Sequence, residues 1–144
     1  MENCILKDGM GNMDFEKITA MLSKTYWCPG IGIEEVRTGA YNSALNAGVF
    51  LEDGTQVAYA RVVSDKVRFA YILDVIVDEN CRKQGIGQKL IRFILEHPDL
   101  KDVYQWVLRT TDAQEFYGKI GFRQITNPLS FMEIRRERPK RQHS

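Results

Sequence analysis

The chain has 144 residues, 44% of them hydrophobic, and 20 basic side chains nearly cancel 19 acidic ones to leave a net charge of +1. One core is the default at that length, and the near-neutral, apolar-rich composition excludes a disordered chain and a protein that coats nucleic acid through bulk positive charge. Cys4, Cys28 and Cys81 are too few and too scattered for a disulfide framework or a CxxC site, and His97 and His143 alone do not make a histidine-rich metal centre, so no metal is expected.

The opening Met1-Glu2-Asn3-Cys4 lacks the basic and apolar regions of a signal peptide, and the longest apolar run, Phe69 to Val77, is too short to span a bilayer. A cytoplasmic protein without a membrane partner is expected. Asp14 is suited to cap a helix carrying Phe15, Ile18, Met21 and Leu22 at helical spacing, and Pro29-Gly30 breaks the chain. A second helix is predicted over 33–41. The period then changes. Residues 47–51, Asp53-Gly54 and residues 56–63 form strand, tight turn and strand. Asp65-Lys66 turns the chain into the run 69–77, apolar on both faces except at Asp74, as in a central strand covered on both sides.

Beyond the polar stretch 78–84 come Gly85-Ile86-Gly87 and a helical pattern through Leu90, Ile91 and Ile94 to His97, stopped by Pro98. His97 there suits a helix-end cation or cap. A buried strand follows over 103–108, and strand, helix, strand in that order implies a right-handed crossover with the two strands parallel. Thr111 or Asp112 is expected to cap a short helix ended by Gly121, and a last strand is expected near 131–134. The predicted fold is α/β, a mixed central sheet with antiparallel strands first, one parallel crossover later, and helices on both faces.

The tail is uneven. Arg135, Arg136, Arg138, Lys140 and Arg141 crowd the last ten residues against Glu137 alone, and without them the body keeps fifteen basic against eighteen acidic groups. The chain therefore divides into one domain, residues 1–134, and a basic tail, 135–144. The tail reads as a solvated terminus or charged strand edge, or as an electrostatic contact with an anion or partner.

The stretch Arg82-Lys83-Gln84-Gly85-Ile86-Gly87 joins a buried strand to a helix. Two glycines let the main chain approach a ligand, the N–H groups of the first helical turn point outwards, and Arg82 and Lys83 add mobile charge, which suits a diphosphate. It is not a P-loop, because Gly87 is followed by Gln88-Lys89-Leu90, nor a dinucleotide fingerprint, because position 90 is Leu. A glycine-softened turn with no ligand is the competing reading.

Val75-Ile76-Val77, four residues, then Arg82-x-x-Gly85-x-Gly87 resembles the acyl-CoA-binding motif of the GNAT superfamily of N-acetyltransferases. Ala113-x-x-Phe116-Tyr117-x-x-x-Gly121-Phe122 resembles that superfamily's second signature, at the expected distance. The resemblance implies acetyl-CoA as co-substrate. The main chain at Val75, Ile76 and Val77 would pair with the pantetheine arm, and Arg82 and the N–H groups of Lys83, Gln84, Gly85, Ile86, Gly87 and Gln88 would hold the pyrophosphate. Thr110 and Ala113 would lie against the coenzyme, with Thr110 standing where many relatives carry Asn. Tyr117 would protonate the departing thiolate.

Acetyl transfer to an amine needs the neutral amine placed near the carbonyl and a group to take its proton. Main-chain N–H groups near 75–77 are suited to the developing oxyanion. Asp74, the carboxylate inside the apolar strand, is the candidate base, and a structural hydrogen-bond acceptor is its alternative. Cys81 reads as a bystander thiol, since direct transfer needs no acyl-enzyme. The acceptor, a primary amine of a small molecule or peptide, is expected to meet the first half of the chain, where Tyr26, Trp27, Arg37, Tyr41, Phe50 and Arg61 combine aromatic walls with cations, and Arg109 past the later strand. A catalytically silent CoA-binding regulatory module is the alternative function. A nucleic-acid partner is not expected from a near-neutral body. A homodimer through the late strand and basic end is left open.

Overall fold

In the computed structural model, residues 3–141 are described; Met1 and Glu2 of the opening, and the last three residues of the basic tail with His143 among them, lie outside the described residues. The elements are β1 (Ile5–Asp8), α1 (Phe15–Leu22), α2 (Ile33–Tyr41), β2 (Leu45–Phe50), β3 (Gln56–Ser64), β4 (Phe69–Val77), α3 (Ile86–Leu95), β5 (Gln105–Val107) and α4 (Gln114–Ile120). The strands lie side by side in chain order. The pairs from β1 to β4 are antiparallel, and β4 with β5 is parallel across the α3 crossover. No helix among the described residues is long and apolar enough to cross a membrane.

Local chemistry accounts for most boundaries. The Asp14 carboxylate accepts the Lys17 N–H at 3.1 Å and starts α1. Between β2 and β3 the Gly54 N–H reaches the Leu51 carbonyl at 3.0 Å, with Gly54 at φ 95° where a side chain would be strained. The α3 side chains Ile86, Leu90, Ile91 and Ile94 are each no more than 1% exposed. They pack with Ala47, Val49, Val62, Ile72 and Tyr117 on one face of the sheet, each apolar side chain contributing roughly 1.5–3 kcal/mol. On the other face Ile18 and Leu22 of α1 and Val36 of α2 close over Phe50, Tyr59 and Ile76.

A buried relay fixes α2 to that second face. The Tyr59 hydroxyl donates to Asn46 Oδ1 at 2.6 Å, and Asn46 Nδ2 donates to the Ala40 carbonyl at 2.9 Å. Burial pushes the Tyr59 phenol well above its ordinary range, so it stays a donor. At the end of α3, His97 Nδ1 accepts the Asp99 N–H and its Nε2 meets the Asp8 carboxylate of β1, a cap and a tie.

The β3–β4 register jumps from Tyr59 opposite Ile76 to Arg61 opposite Leu73, so Asp74 and Val75 together face Ala60. This is a β-bulge. Asp74 sits at φ 58°, a left-handed conformation that Asp tolerates better than a branched residue. The bulge reverses the strand's alternation: Ala70 and Ile72 pack on the α3 side before it, and Val75 and Val77 do so after it. Asp74 is thereby turned to the α2 side.

Three expectations change. β5 is three residues long rather than six. α4 starts at Ala113 with no side-chain cap from Thr111 or Asp112; the Thr110 hydroxyl takes the Ala113 N–H instead, at 3.0 Å. Residues 131–134 are not a strand: they pair with no strand among the described residues, although the outer edge of β5 is open, and Met132 and Ile134 are 95% and 82% exposed. β1, which was not anticipated, takes the open edge of β2 instead.

Candidate active site

β4 and β5 pair from Phe69 with Gln105 to Tyr71 with Val107, and there the ladder ends. Beyond it, β4 continues to Val77 while the other chain turns away towards α4, leaving an opening beside the bulge. Val75 and Val77 flank it with their main chain, and Ile76 packs its side chain on the α2 face. At the mouth, Lys83 and Gly85 adopt φ 66° and 78°, and Gly85 is the N-cap of α3 with no side-chain cap. The first α3 carbonyl bond is Lys89 N–H to Gly85, so the N–H groups of Ile86, Gly87 and Gln88 have no partner within the helix. No acidic residue stands in that turn. Exposed Arg82, Lys83 and Gln84 surround it, and Arg82 Nε reaches back to the Val77 carbonyl at 3.3 Å. Such a turn attracts an anion.

The two glycines differ in purpose. A Cβ at Gly85 would meet open space, so its requirement is conformational. A Cβ at Gly87 would stand 3.3 Å from Phe116 Cζ and 3.6 Å from Val77, so its requirement is the close approach of α3 to α4 and β4.

Tyr117 is 8% exposed and held edge-on between Phe116 and Phe122, with ring centroids 5.0 and 5.8 Å away. Burial pushes its phenol up to about 12, and the Asp112 carboxylate adds to this. The phenol therefore keeps its proton at neutral pH. Ala113, partly buried, opens α4 beside it. Thr110 accepts the Ala113 N–H at 3.0 Å and turns its hydroxyl proton towards Asp112 Oδ1 at 3.5 Å.

On the other face, Asp74 Oδ2 accepts Arg61 Nε at 2.7 Å. Arg61 also reaches Ser43 Oγ at 3.3 Å and lies 3.5 Å from the Gly39 carbonyl. Gly39 makes this possible: a Cβ there would stand 3.3 Å from the Arg61 guanidinium carbon. A pocket of about 530 Å³ opens between α2 and the sheet, its walls including Cys28, Ile31, Glu34, Glu35, Arg61 and Asp74. Burial pushes the Cys28 thiol up, with Asp74 adding to the effect, so it is a wall and not a nucleophile. The C-terminal segment returns to this rim. Arg141 forms a two-pronged pair with Glu35 at 2.8 and 3.1 Å and donates to the Pro29 carbonyl at 3.4 Å, while Arg138 donates to the Trp27 carbonyl at 3.4 Å.

Of the residues expected at the acceptor, Arg61 lines the pocket with its charge engaged by Asp74. Arg37 does not reach it; its guanidinium lies over the Phe15 ring, 5.9 Å from the centroid. Tyr41 is 78% exposed at the far end of α2, beside a different hollow near Asp8 and Asn46. Phe50 is buried in the core and Arg109 is exposed beyond β5. Tyr26 bridges the two halves, its hydroxyl 2.7 Å from Thr111 Oγ1, with Trp27 edge-on to it at 5.0 Å. Glu35, Gly39 and Arg141 were missed. Glu35 looks like any carboxylate on a solvated helix face, and the crowd of tail arginines was the one available signal.

A family model described as an acetyltransferase (GNAT) domain matches residues 45–124. A solved structure from Xanthomonas campestris pv. campestris, described as belonging to the GNAT family, is 33% identical, is covered over 94% of each chain and has a TM-score of 0.87. Glucosamine 6-phosphate N-acetyltransferase 1 of Oryza sativa subsp. japonica is 32% identical over 56 residues, 38% of this chain and 34% of its own. The uncharacterized N-acetyltransferase ycf52 of Gracilaria tenuistipitata var. liui is 29% identical over 111 residues, 70% of this chain and 59% of its own. The match thus spans less than two thirds of each of these two curated relatives. With the domain match reaching across the cradle, the strand opening and α4, this chain belongs to the GNAT acetyltransferase family.

Proposed function

We propose that the protein is an N-acetyltransferase that passes the acetyl group of acetyl-CoA directly to a primary amine of a small molecule or peptide, with residues 1–134 as the acyltransferase domain. The observation that carries this reading is the strand opening past Tyr71 and Val107 with the uncapped α3 turn at its mouth. Unpaired main chain on β4 suits an extended amide-bearing arm added as a strand, and the N–H groups of residues 83–88 suit its diphosphate.

Tyr117 on one face and Asp74 on the other then flank a thioester in the opening. Tyr117, still protonated at neutral pH, donates to the thiolate as it departs. The desolvation that holds the phenol's proton also makes that thiolate a better acceptor. On the amine side, Asp74 holds Oδ2 on Arg61, and its Oδ1 makes no hydrogen bond among the described residues, which leaves one oxygen to take the amine proton. Main-chain N–H groups at 75–77 suit the oxyanion.

Thiol release from acetyl-CoA against a panel of amines, glucosamine 6-phosphate included, tests the reading. Release with any amine is expected. Thermal stabilisation by acetyl-CoA with no turnover across the panel would support the silent CoA-binding module instead. Asp74→Asn separates base from anchor: turnover falls with coenzyme affinity and melting temperature held if Asp74 takes the proton, and is unchanged if it serves only to fix Arg61.

A further inference from the structure

The pocket wall carries three carboxylates, Glu34, Glu35 and Asp74, against one guanidinium, Arg61. Arg61 is consumed internally by Asp74, Ser43 and Gly39, so its charge is not available to an incoming group. Before the tail arrives the pocket is therefore short of positive charge. The tail supplies it in an unusual way. From residue 131 to 140 every residue is exposed, yet the Arg141 side chain that ends this stretch is 10% exposed. It is held by both oxygens of Glu35 and by the Pro29 carbonyl. The Arg141 hydrogen bond holds the Glu35 carboxyl below its usual range, so the pair is charged at neutral pH. A fork-to-fork pair of this kind is among the stronger polar contacts. It amounts to a cation of the chain's own seated on the pocket rim.

We propose that the acceptor carries a second positive charge besides the amine it presents, that Glu35 receives this charge, and that Arg141 occupies the same carboxylate until the acceptor displaces it. This rests on the acyl-transfer reading above and narrows it to diamines and other dicationic amines, including peptides with a neighbouring basic side chain. The volume of about 530 Å³ suits a short diamine, small-molecule sites running from roughly 300 to 1,000 Å³. Cys28 and Ile31 give its hydrocarbon an apolar wall. A phosphorylated amino sugar fits poorly, because its phosphate would face Glu34 and Glu35 with Arg61 already spent. Because Arg141 is tethered, it competes as an intramolecular ligand, and the apparent affinity of the acceptor is lowered by the fraction of molecules in which the seat is taken.

Calorimetric titration of the full chain, saturated with CoA, by diaminobutane and by butylamine tests this without requiring turnover. Diaminobutane is expected to bind about tenfold tighter than butylamine, a difference that Glu35→Gln erases. Arg141→Ala is expected to strengthen diaminobutane binding about three- to tenfold and to leave butylamine unchanged. Equal binding of the two amines, absence of diaminobutane binding to Arg141→Ala, or an Arg141→Ala affinity no higher than wild type would overturn the proposal. Thiol release separates the two claims. The charge-selective binding pattern without release with any amine removes the transferase reading and keeps the dication seat; release with both amines at equal affinity removes the seat and keeps the transferase.

Discussion

The cradle at residues 82–87 and the pocket around Asp74 are built from different materials. The cradle is main chain: two left-handed residues and an uncapped helical turn present N–H groups, and side chains serve mainly to stay out of the way. The pocket is side chain, assembled from α2, β3, β4 and the C-terminal segment, with Glu35 and Arg141 meeting across 106 residues of sequence. On the proposed reading, a site made of main chain suits what every thioester carrier of this type shares. A site made of side chains is free to change with the acceptor. The two should therefore fail in different ways when altered.

The largest effect is expected at Tyr117, which packs with the α3 side chains behind the cradle. Tyr117→Phe removes the hydroxyl and keeps the ring between Phe116 and Phe122. Turnover should fall roughly 100-fold, the scale of a lost general acid, with acetyl-CoA affinity and melting temperature nearly unchanged. With the phenol pushed up to about 12, it is expected to hold its proton from neutral pH to roughly pH 10, so any decline of rate in that range is expected to come from another group. Steady-state kinetics of both proteins across that range measure this, and a near-normal rate for Tyr117→Phe would remove the residue from the mechanism.

The cradle should respond to backbone conformation and be indifferent to side-chain size. Gly85 lies at φ 78° in open space. Gly85→Val disfavours the left-handed conformation by about 1–2 kcal/mol; if the free loop relaxes out of it, binding must restore it, and acetyl-CoA affinity is expected to fall roughly tenfold. Gly85→Asn, which tolerates that conformation, should keep most of it. Calorimetry on the three proteins decides: equal losses for Val and Asn would mean that bulk, not conformation, is what the cradle refuses.

This difference in material also explains what was legible in the sequence. The β4 span, α2, the Asp53-Gly54 hairpin and the cradle follow from local periodicity and glycine placement, because each is fixed by neighbours in the chain. β1 was missed because Ile5–Asp8 is four residues with two apolar positions, and it becomes a strand only through the edge of β2. The segment 131–134 misled in the opposite sense: it alternates like a strand yet lies exposed and unpaired, although the outer edge of β5 is open. Asp74 was visible as a carboxylate in an apolar run, but its direction depends on a bulge that exists only in the pairing with β3. Gly39, inside α2, was missed because what it does, giving room to Arg61, depends on a residue 22 positions on.

The smallest effect belongs to a contact between α1 and the chain that leads from β4 into the cradle. Lys17 on α1 meets the Asp78 carboxylate at 2.7 Å, and Asp78 also takes the Asn80 N–H as the chain leaves β4 for the cradle. The Lys17 hydrogen bond, then the Asn80 N–H, hold the Asp78 carboxyl below its ordinary 3.8. A depressed carboxyl stabilises the fold fully above that ordinary value and loses its contribution as the pH falls through the lower one. The pair is partly exposed, with 29% and 17% of the two side chains accessible, so a value of about 0.2–1 kcal/mol applies. Lys17→Met should therefore lower the melting temperature by about 1–3 °C at neutral pH. That gap should close in melts taken down to about pH 2 to 3, as Asp78 takes up its proton in the wild-type chain. A gap that persists unchanged into acid would mean that the lysine stem, and not its charge, couples α1 to the chain entering the cradle.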